Sequence, residues 1–226
     1  QGLSVTTFAL LYLLASFATL LCNIVVSIWK FTKPTIEIDF DFWKETLKQA
    51  GPFGLAGAFS GIYFWIDSVM LSYMKGDEVV GWYNAAYRLV FVLTVIPGVF
   101  FTSAFPTMSR YYVTSKESLK LIYEKSIKYM LILAVPIAIG TSLLADKAIM
   151  LIFDPGYSNS IIALQILVWA VAFVFISSGV ARLFESSNKQ LIVTIVAGGC
   201  ALLNVTLNLI LIPKYSYIGA SAATVT

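Results

Sequence analysis

Ile161-Ile-Ala-Leu-Gln-Ile-Leu-Val-Trp-Ala-Val-Ala-Phe-Val-Phe-Ile-Ser-Ser-Gly-Val-Ala181 runs for 21 residues without a charge. At about 1.5 Å of rise per residue, a helix of that length matches the roughly 30 Å hydrocarbon thickness of a bilayer. The run is too long for a buried strand and too uniformly apolar for a helix with one wet face. Five further stretches read the same way. Residues 4–29 carry no charge, 52–74 carry only Asp67, 82–105 carry only Arg88, and 190–212 carry none. Residues 129–145 are charge-free but short, so they need the turn before them to span. Residues 218–226 predict the opening of a seventh helix. The expected fold is all-α, a polytopic membrane helix bundle.

Composition agrees with that solvent. Hydrophobic residues make up 59% of the chain, charged residues 12%, and the mean hydropathy is +0.85. A soluble domain carries roughly 25% charged residues, so half the usual charge is left to cover a surface of this size. The net charge of +3 is too small and too dispersed for a nucleic-acid partner. Cys22 and Cys200 lie far apart inside apolar runs, which argues against a disulfide framework. Histidine is absent, removing the commonest proton carrier and metal ligand. No phosphate-binding glycine loop, zinc spacing or serine elbow is present, and neither an enzyme nor a cofactor is expected. Gln1 is not an initiator, and no basic stretch precedes the first apolar run, so a span is expected there rather than a signal peptide. The sequence reads as an excerpt of a longer one.

Lysine and arginine orient the spans. If the first span ends in the cytoplasm, the inside segments hold Lys30, Lys33, Lys44, Lys48, Arg110, Lys116, Lys120, Lys125, Lys128, Arg182 and Lys189, eleven in all. The other side holds Lys75, Lys147 and Lys214. Residues 30–51 form the longest polar connection, and Phe40-Asp-Phe-Trp-Lys-Glu-Thr-Leu-Lys-Gln49 reads as an amphipathic interfacial segment with Trp43 at headgroup level. Gly51-Pro52 then predicts a sharp turn into the bilayer. Residues 119–128 suggest a short surface helix, and 146–160 a short interfacial helix ended by the Asp154-Pro-Gly turn.

A charge at the centre of a span costs about 2.5–3.5 kcal/mol on insertion scales, so such groups are usually paired or functional. Counted from the ends of the two apolar runs, Asp67 and Arg88 fall at one depth on consecutive antiparallel helices. They are expected either to pair or to line one polar cavity, the competing reading being that Arg88 snorkels to the headgroups. Ser60 and Tyr63 share a stripe with Asp67, and Asn84 lies one turn from Arg88. Asn204 and Asn208 share a face and either join helices or wet a passage. Gly57 and Gly61 form a small-xxx-small pair suited to close helix contact. Pro97-Gly98 and Pro136 sit in mid-span as candidate hinges, although membrane helices tolerate proline readily. The sequon at Asn204 lies within a span, where glycosylation is not expected.

Several of these segments resemble a known family. Ile66-Asp-Ser-Val-Met-Leu71 followed by Val80-Gly-Trp-Tyr-Asn-Ala-Ala-Tyr-Arg-Leu89 is similar to the seventh and eighth helices of polysaccharide-biosynthesis flippases. These belong to the multidrug/oligosaccharidyl-lipid/polysaccharide exporter superfamily. Pro106-Thr-Met-Ser-Arg110, Ala134-Val-Pro-Ile-Ala-Ile-Gly140, Ile152-Phe-Asp-Pro-Gly-Tyr157, Leu207-Asn-Leu-Ile-Leu-Ile-Pro213 and Ile218-Gly-Ala-Ser-Ala-Ala-Thr224 follow in the family's order. The resemblance covers about residues 50–226. It implies a lobe of the MATE-like kind over 52–226, an interlobe linker over 30–51, and in 1–29 the last helix of a first lobe otherwise missing. It further implies alternating-access flipping of a polyprenyl-pyrophosphate sugar across the cytoplasmic membrane, with Arg88 offsetting the headgroup's charge. The implied partners are membrane lipids, that substrate, the first lobe and glycan assembly enzymes. One departure stands out: Ser216-Tyr217 follows Tyr215 where the family usually has glycine. Two alternatives stay open, a cation-coupled multidrug exporter using Asp67 as its ion or proton site and a non-transporting membrane scaffold. An arginine beside Asp67 would argue against the exporter.

Overall fold

A computed structural model describes residues 5–30 and 39–226, which divide into two compact units, Gln1–Leu47 and Lys48–Thr226. In the first unit, α1 (Val5–Lys30) reaches its first charge at its last residue. Two of its hydroxyls are satisfied locally: those of Ser16 and Thr19 donate to the carbonyls of Tyr12 and Ala15, both at 2.9 Å. This back-bonding is how serine and threonine are accommodated in an apolar helix. The expected linker charges Lys33 and Glu37 lie outside the described residues. Asp39 caps α2 (Phe40–Lys75), its carboxylate accepting the N–H groups of Asp41 and Phe42 at 3.0 Å each. Phe40 meets Trp43 edge-on at 5.6 Å, so the expected interfacial segment is the first part of this helix.

Pro52 lies inside α2, so the sharp turn expected at Gly51-Pro52 does not form. The Pro52 carbonyl instead accepts a hydrogen bond from Thr194 at 2.8 Å. The second unit continues through α3 (Asp77–Thr114), α4 (Lys116–Leu143), α5 (Ala145–Ile152), a single 3-10 turn (Pro155–Tyr157), α6 (Ser160–Leu167), α7 (Trp169–Ser186) and α8 (Gln190–Val225). Pro97 and Pro106 lie within α3, and Pro136 within α4, without interrupting either helix. The separate surface helix expected over 119–128 is instead the first half of α4. Ser115 starts that helix by accepting the Ser118 N–H at 3.2 Å. The short helix and turn expected over 146–160 form as α5 and the 3-10 turn.

Gly76 alone joins α2 to α3, with φ 90, a value that costs glycine little and other residues much. The opening stretch folds as α6 and α7 and buries Ala163, Leu164, Leu167, Val168, Val171, Phe175 and Gly179, a stripe at helical spacing. Small residues set the tightest approaches. A Cβ on Gly179 would stand 2.5 Å from Ile127 Cδ1 and 2.7 Å from Phe101 Cζ. One on Gly198 would stand 3.2 Å from the Phe59 ring. Gly57 and Gly61, expected to mediate close contact, have nothing within 4 Å of that position.

The last helix is a hairpin. Ser216 has φ 53 and ψ −136, which interrupts α8, and Gly219 packs so closely that an added Cβ would lie 2.5 Å from the Leu211 carbonyl oxygen. The chain therefore reverses at Ser216, and its last residues run back along the helix they follow, as the short seventh helix was expected to do. Ser216 occupies the position where the family's glycine was expected, and its backbone takes the conformation glycine would adopt without strain.

Candidate functional site

The turn at Gly76 and the hairpin at Ser216 bring four polar side chains to Asp67, which is fully buried. Its Oδ2 accepts hydrogen bonds from the Tyr83 hydroxyl at 2.7 Å and the Thr224 hydroxyl at 2.6 Å. Its Oδ1 accepts from the Asn208 amide, which also donates to Asn204 Oδ1 at 3.1 Å. Tyr63 donates to the Thr224 carbonyl at 2.6 Å, tying α2 to the returning end of the hairpin. Tyr87 stacks on Tyr83 with ring centres 5.7 Å apart. Asn208 and Thr224 lie at equal sequence distance on either side of Ser216, so an antiparallel hairpin sets them side by side.

Arg88 is not part of this cluster. It is exposed, and the ion pairs among the described residues are Lys120–Glu124 at 3.8 Å and Arg182–Glu185 at 2.8 Å. The expected Asp67–Arg88 pair does not form, for two reasons. First, α3 starts at Asp77 and not near Trp82, so at 1.5 Å per residue Arg88 is about 18 Å from the Gly76 turn while Asp67 is about 13 Å from it. Second, Tyr83, Ala86 and Val90 form the buried face of α3, and Arg88, five residues past Tyr83, is turned well away from it. Asn84 lies between these faces and accepts a hydrogen bond from Ser68 at 2.8 Å. Ser60 is half-buried on α2, and nothing joins it to the carboxylate.

Of the candidates drawn from the sequence, Asp67, Asn204, Asn208 and Tyr63 are brought together, while Arg88 and Asn84 stand apart from them. Pro97, Gly98 and Pro136 are distant in sequence from the cluster and lie in unbroken stretches of α3 and α4. Tyr83 and Thr224 were missed. Their signal was the register: once Gly76 is the turn, Tyr83 is the α3 residue that faces Asp67.

A buried carboxylate surrounded by neutral donors still carries an uncompensated charge, which is costly in an apolar bundle until a positive charge joins it. The oxygens of Asp67, Asn204, Asn208 and Thr224 suit a proton or a hard cation, which takes oxygen ligands. One amide atom fits this reading, because Asn208 Oδ1 is a buried acceptor without a hydrogen-bond partner; Asn204 Nδ2, also buried without a partner, is a donor and calls for an acceptor instead. Such atoms call for an explanation in a native structure.

Among the described residues six helices are long and apolar enough to cross a membrane; with a polar centre buried inside the second unit, they define a multi-pass helical membrane protein. Residues 2–112, just under half of the chain, match the family model described as polysaccharide biosynthesis protein, so the chain is similar to that family. The match takes in α1 to α3, extending the resemblance to segments before residue 50. The chain is 28% identical over 174 residues to the probable flippase AglR of Haloferax volcanii, covering 72% of this chain and 35% of that protein. It is 29% identical over 174 residues to the uncharacterized membrane protein MJ1068 of Methanocaldococcus jannaschii, covering 76% of this chain and 34% of that one. It is 20% identical over 211 residues to the probable low-salt glycan biosynthesis flippase Agl15 of Haloferax volcanii, covering 91% and 45%. The chain thus spans less than half the length of these relatives.

Proposed function

We propose that this chain forms part of a flippase that carries a lipid-linked oligosaccharide, a polyprenyl-pyrophosphate sugar, across the cytoplasmic membrane for glycan biosynthesis. In this reading residues 52–226 build one lobe, 30–51 link it to a preceding lobe, and 1–29 end that lobe. The lobes alternate access to a cleft between them, with Pro97-Gly98 and Pro136 as points of bending. The observation that carries the reading is Arg88, an exposed guanidinium without a hydrogen bond or ion pair among the described residues, on a chain whose relatives include proteins named as flippases. Its place about 18 Å from the Gly76 turn sets it near the middle of a roughly 30 Å hydrocarbon layer. Snorkelling from there is strained, whereas a polar cleft shared with an anionic headgroup gives the charge a partner.

Arg88→Ala in the full-length protein, reconstituted in proteoliposomes, is expected to reduce flipping of a pyrophosphate-linked sugar by about tenfold or more, with Arg88→Lys retaining part of it. Unchanged flipping by Arg88→Ala would remove Arg88 from the pathway, and a scaffold would keep its cellular function with either variant.

The second reading is a cation-coupled exporter of the same superfamily, with Asp67 as its ion or proton site. The buried Asp67 cluster favours it, and the expected objection, an arginine beside that carboxylate, is absent. The two readings share the Asp67 site and differ in cargo. Drug efflux without headgroup translocation by the reconstituted protein would decide for the exporter.

A further inference from the structure

The α4 surface carries a groove of about 420 Å³ between two ridges, Tyr123, Ile127 and Leu131 on one side and Glu124, Lys128 and Ile132 on the other. Residues four apart in sequence stack along a helix, and the space between adjacent rows is a groove. Its position relative to a bilayer follows from length. Twenty-eight residues make about 42 Å of helix, some 12 Å more than the hydrocarbon layer, so roughly the first eight residues of α4 project beyond it. The groove begins where the helix enters.

Charge is concentrated at that entrance. Arg110, Lys116, Lys120, Lys125 and Lys128 are all exposed, against the two exposed carboxylates Glu117 and Glu124. Glu124 is 3.8 Å from Lys120, which offsets its charge. Arg110 lies over the Tyr111 ring at 5.3 Å and Lys116 over the Tyr112 ring at 3.2 Å, so those two cations are held at the α3–α4 corner. Lys125 and Lys128 have no hydrogen-bond or ion-pair partner among the described residues. The groove holds Lys128 and the Lys120-paired Glu124 at its mouth and is apolar along Ile127, Leu131 and Ile132, while Lys125, one turn before Lys128, stands beside the mouth and adds the positive charge there. That gradient matches one amphiphile lying parallel to α4. A partner helix would pack closely through small residues, and the groove is lined by none.

We propose that this groove binds an anionic phospholipid, its phosphate head at Lys125 and Lys128 and an acyl chain along Ile127, Leu131 and Ile132. The proposal is independent of what the protein transports. It is tested on the purified full-length protein in detergent, titrated with phosphatidylglycerol, with phosphatidylcholine and with inorganic phosphate, and read by native mass spectrometry. Phosphatidylglycerol is expected to bind roughly tenfold more tightly than phosphatidylcholine, since two lysines without partners attract a headgroup that carries net negative charge. Lys125→Gln/Lys128→Gln removes the preference, and Lys147→Gln, just past the opposite end of α4, leaves it unchanged. Lys128→Gln alone gives a partial loss, which covers the case of a double variant that fails to fold. Equal binding of the two lipids, a preference that survives both substitutions, or displacement of the lipid by inorganic phosphate overturns the proposal.

Discussion

Asp67 is stabilised by three donors that approach from three helical segments: Tyr83 from α3, Asn208 from the outgoing arm of the α8 hairpin, and Thr224 from its return. Removing one of them leaves the carboxylate short of a bond where water does not reach. Tyr83→Phe is expected to lower the stability of the full-length protein by about 1.5–3 kcal/mol, the range for a hydrogen bond to a charged group. Asp67→Asn keeps the shape but removes the charge that a proton or cation would complete. It is expected to abolish any dependence of transport on a cation gradient while leaving the fold intact. Thermal unfolding in detergent reads the first variant, and transport with and without an imposed gradient reads the second. Gradient-dependent transport surviving in Asp67→Asn would rule the carboxylate out as a coupling site. The sequence exposed Asp67 because a charge in an apolar run is conspicuous. Its partners were obscure because they come from 16 to 157 residues away in sequence, and tyrosine and threonine are unremarkable within a membrane helix.

At the scale of the elements, apolar length was a dependable guide to where spans exist and a poor one to where they end. Asp77 and Glu78 read as loop because they are charged, yet they form the first turn of α3, where carboxylates meet the positive end of the helix dipole. That shift of one to two turns misplaced Arg88. Gly51-Pro52 read as a break, but a proline inside a helix loses only its own hydrogen bond when neighbouring groups satisfy the rest. Glycine pairs were similarly ambiguous, since spacing alone does not say which face meets another helix. The contrast between Gly219 and Gly57 makes this testable. Gly219→Ala would push a methyl group against the Leu211 carbonyl, which belongs to backbone and cannot rotate aside, and is expected to cost about 1–3 kcal/mol. Gly57→Ala has open space around it and is expected to be neutral or stabilising by up to about 1 kcal/mol. Ser216→Gly, at φ 53, is expected to stabilise the same hairpin by about 1 kcal/mol. Unfolding midpoints of the three variants check the set. A Gly219→Ala protein as stable as the parent would mean that the two arms of α8 are not in contact.

For the molecule as a whole, sidedness decides how its parts can work together. The Gly76 turn between α2 and α3 and the Ser115 turn between α3 and α4 lie at opposite ends of one long helix, and the lysines and arginines favour the second end by a wide margin. If the α3–α4 end faces the cytoplasm, Asp67 is nearer the outer face and the basic groove of α4 opens toward the inner leaflet. In the proposed flippase, a headgroup arriving from inside would then meet the cationic corner first, Arg88 near mid-depth, and the level of Asp67 last. Cysteine substitution tests this order directly. In a full-length protein with Cys22 and Cys200 replaced by serine, Lys116→Cys is expected to resist a membrane-impermeant thiol reagent added outside intact cells, and Lys147→Cys to react with it. After permeabilisation both react. Labelling of Lys116→Cys from outside, with Lys147→Cys protected, would invert the chain in the membrane and place the basic groove on the outer leaflet. The positive-inside asymmetry argues against that arrangement, because each lysine or arginine on a short connection weighs against translocating it.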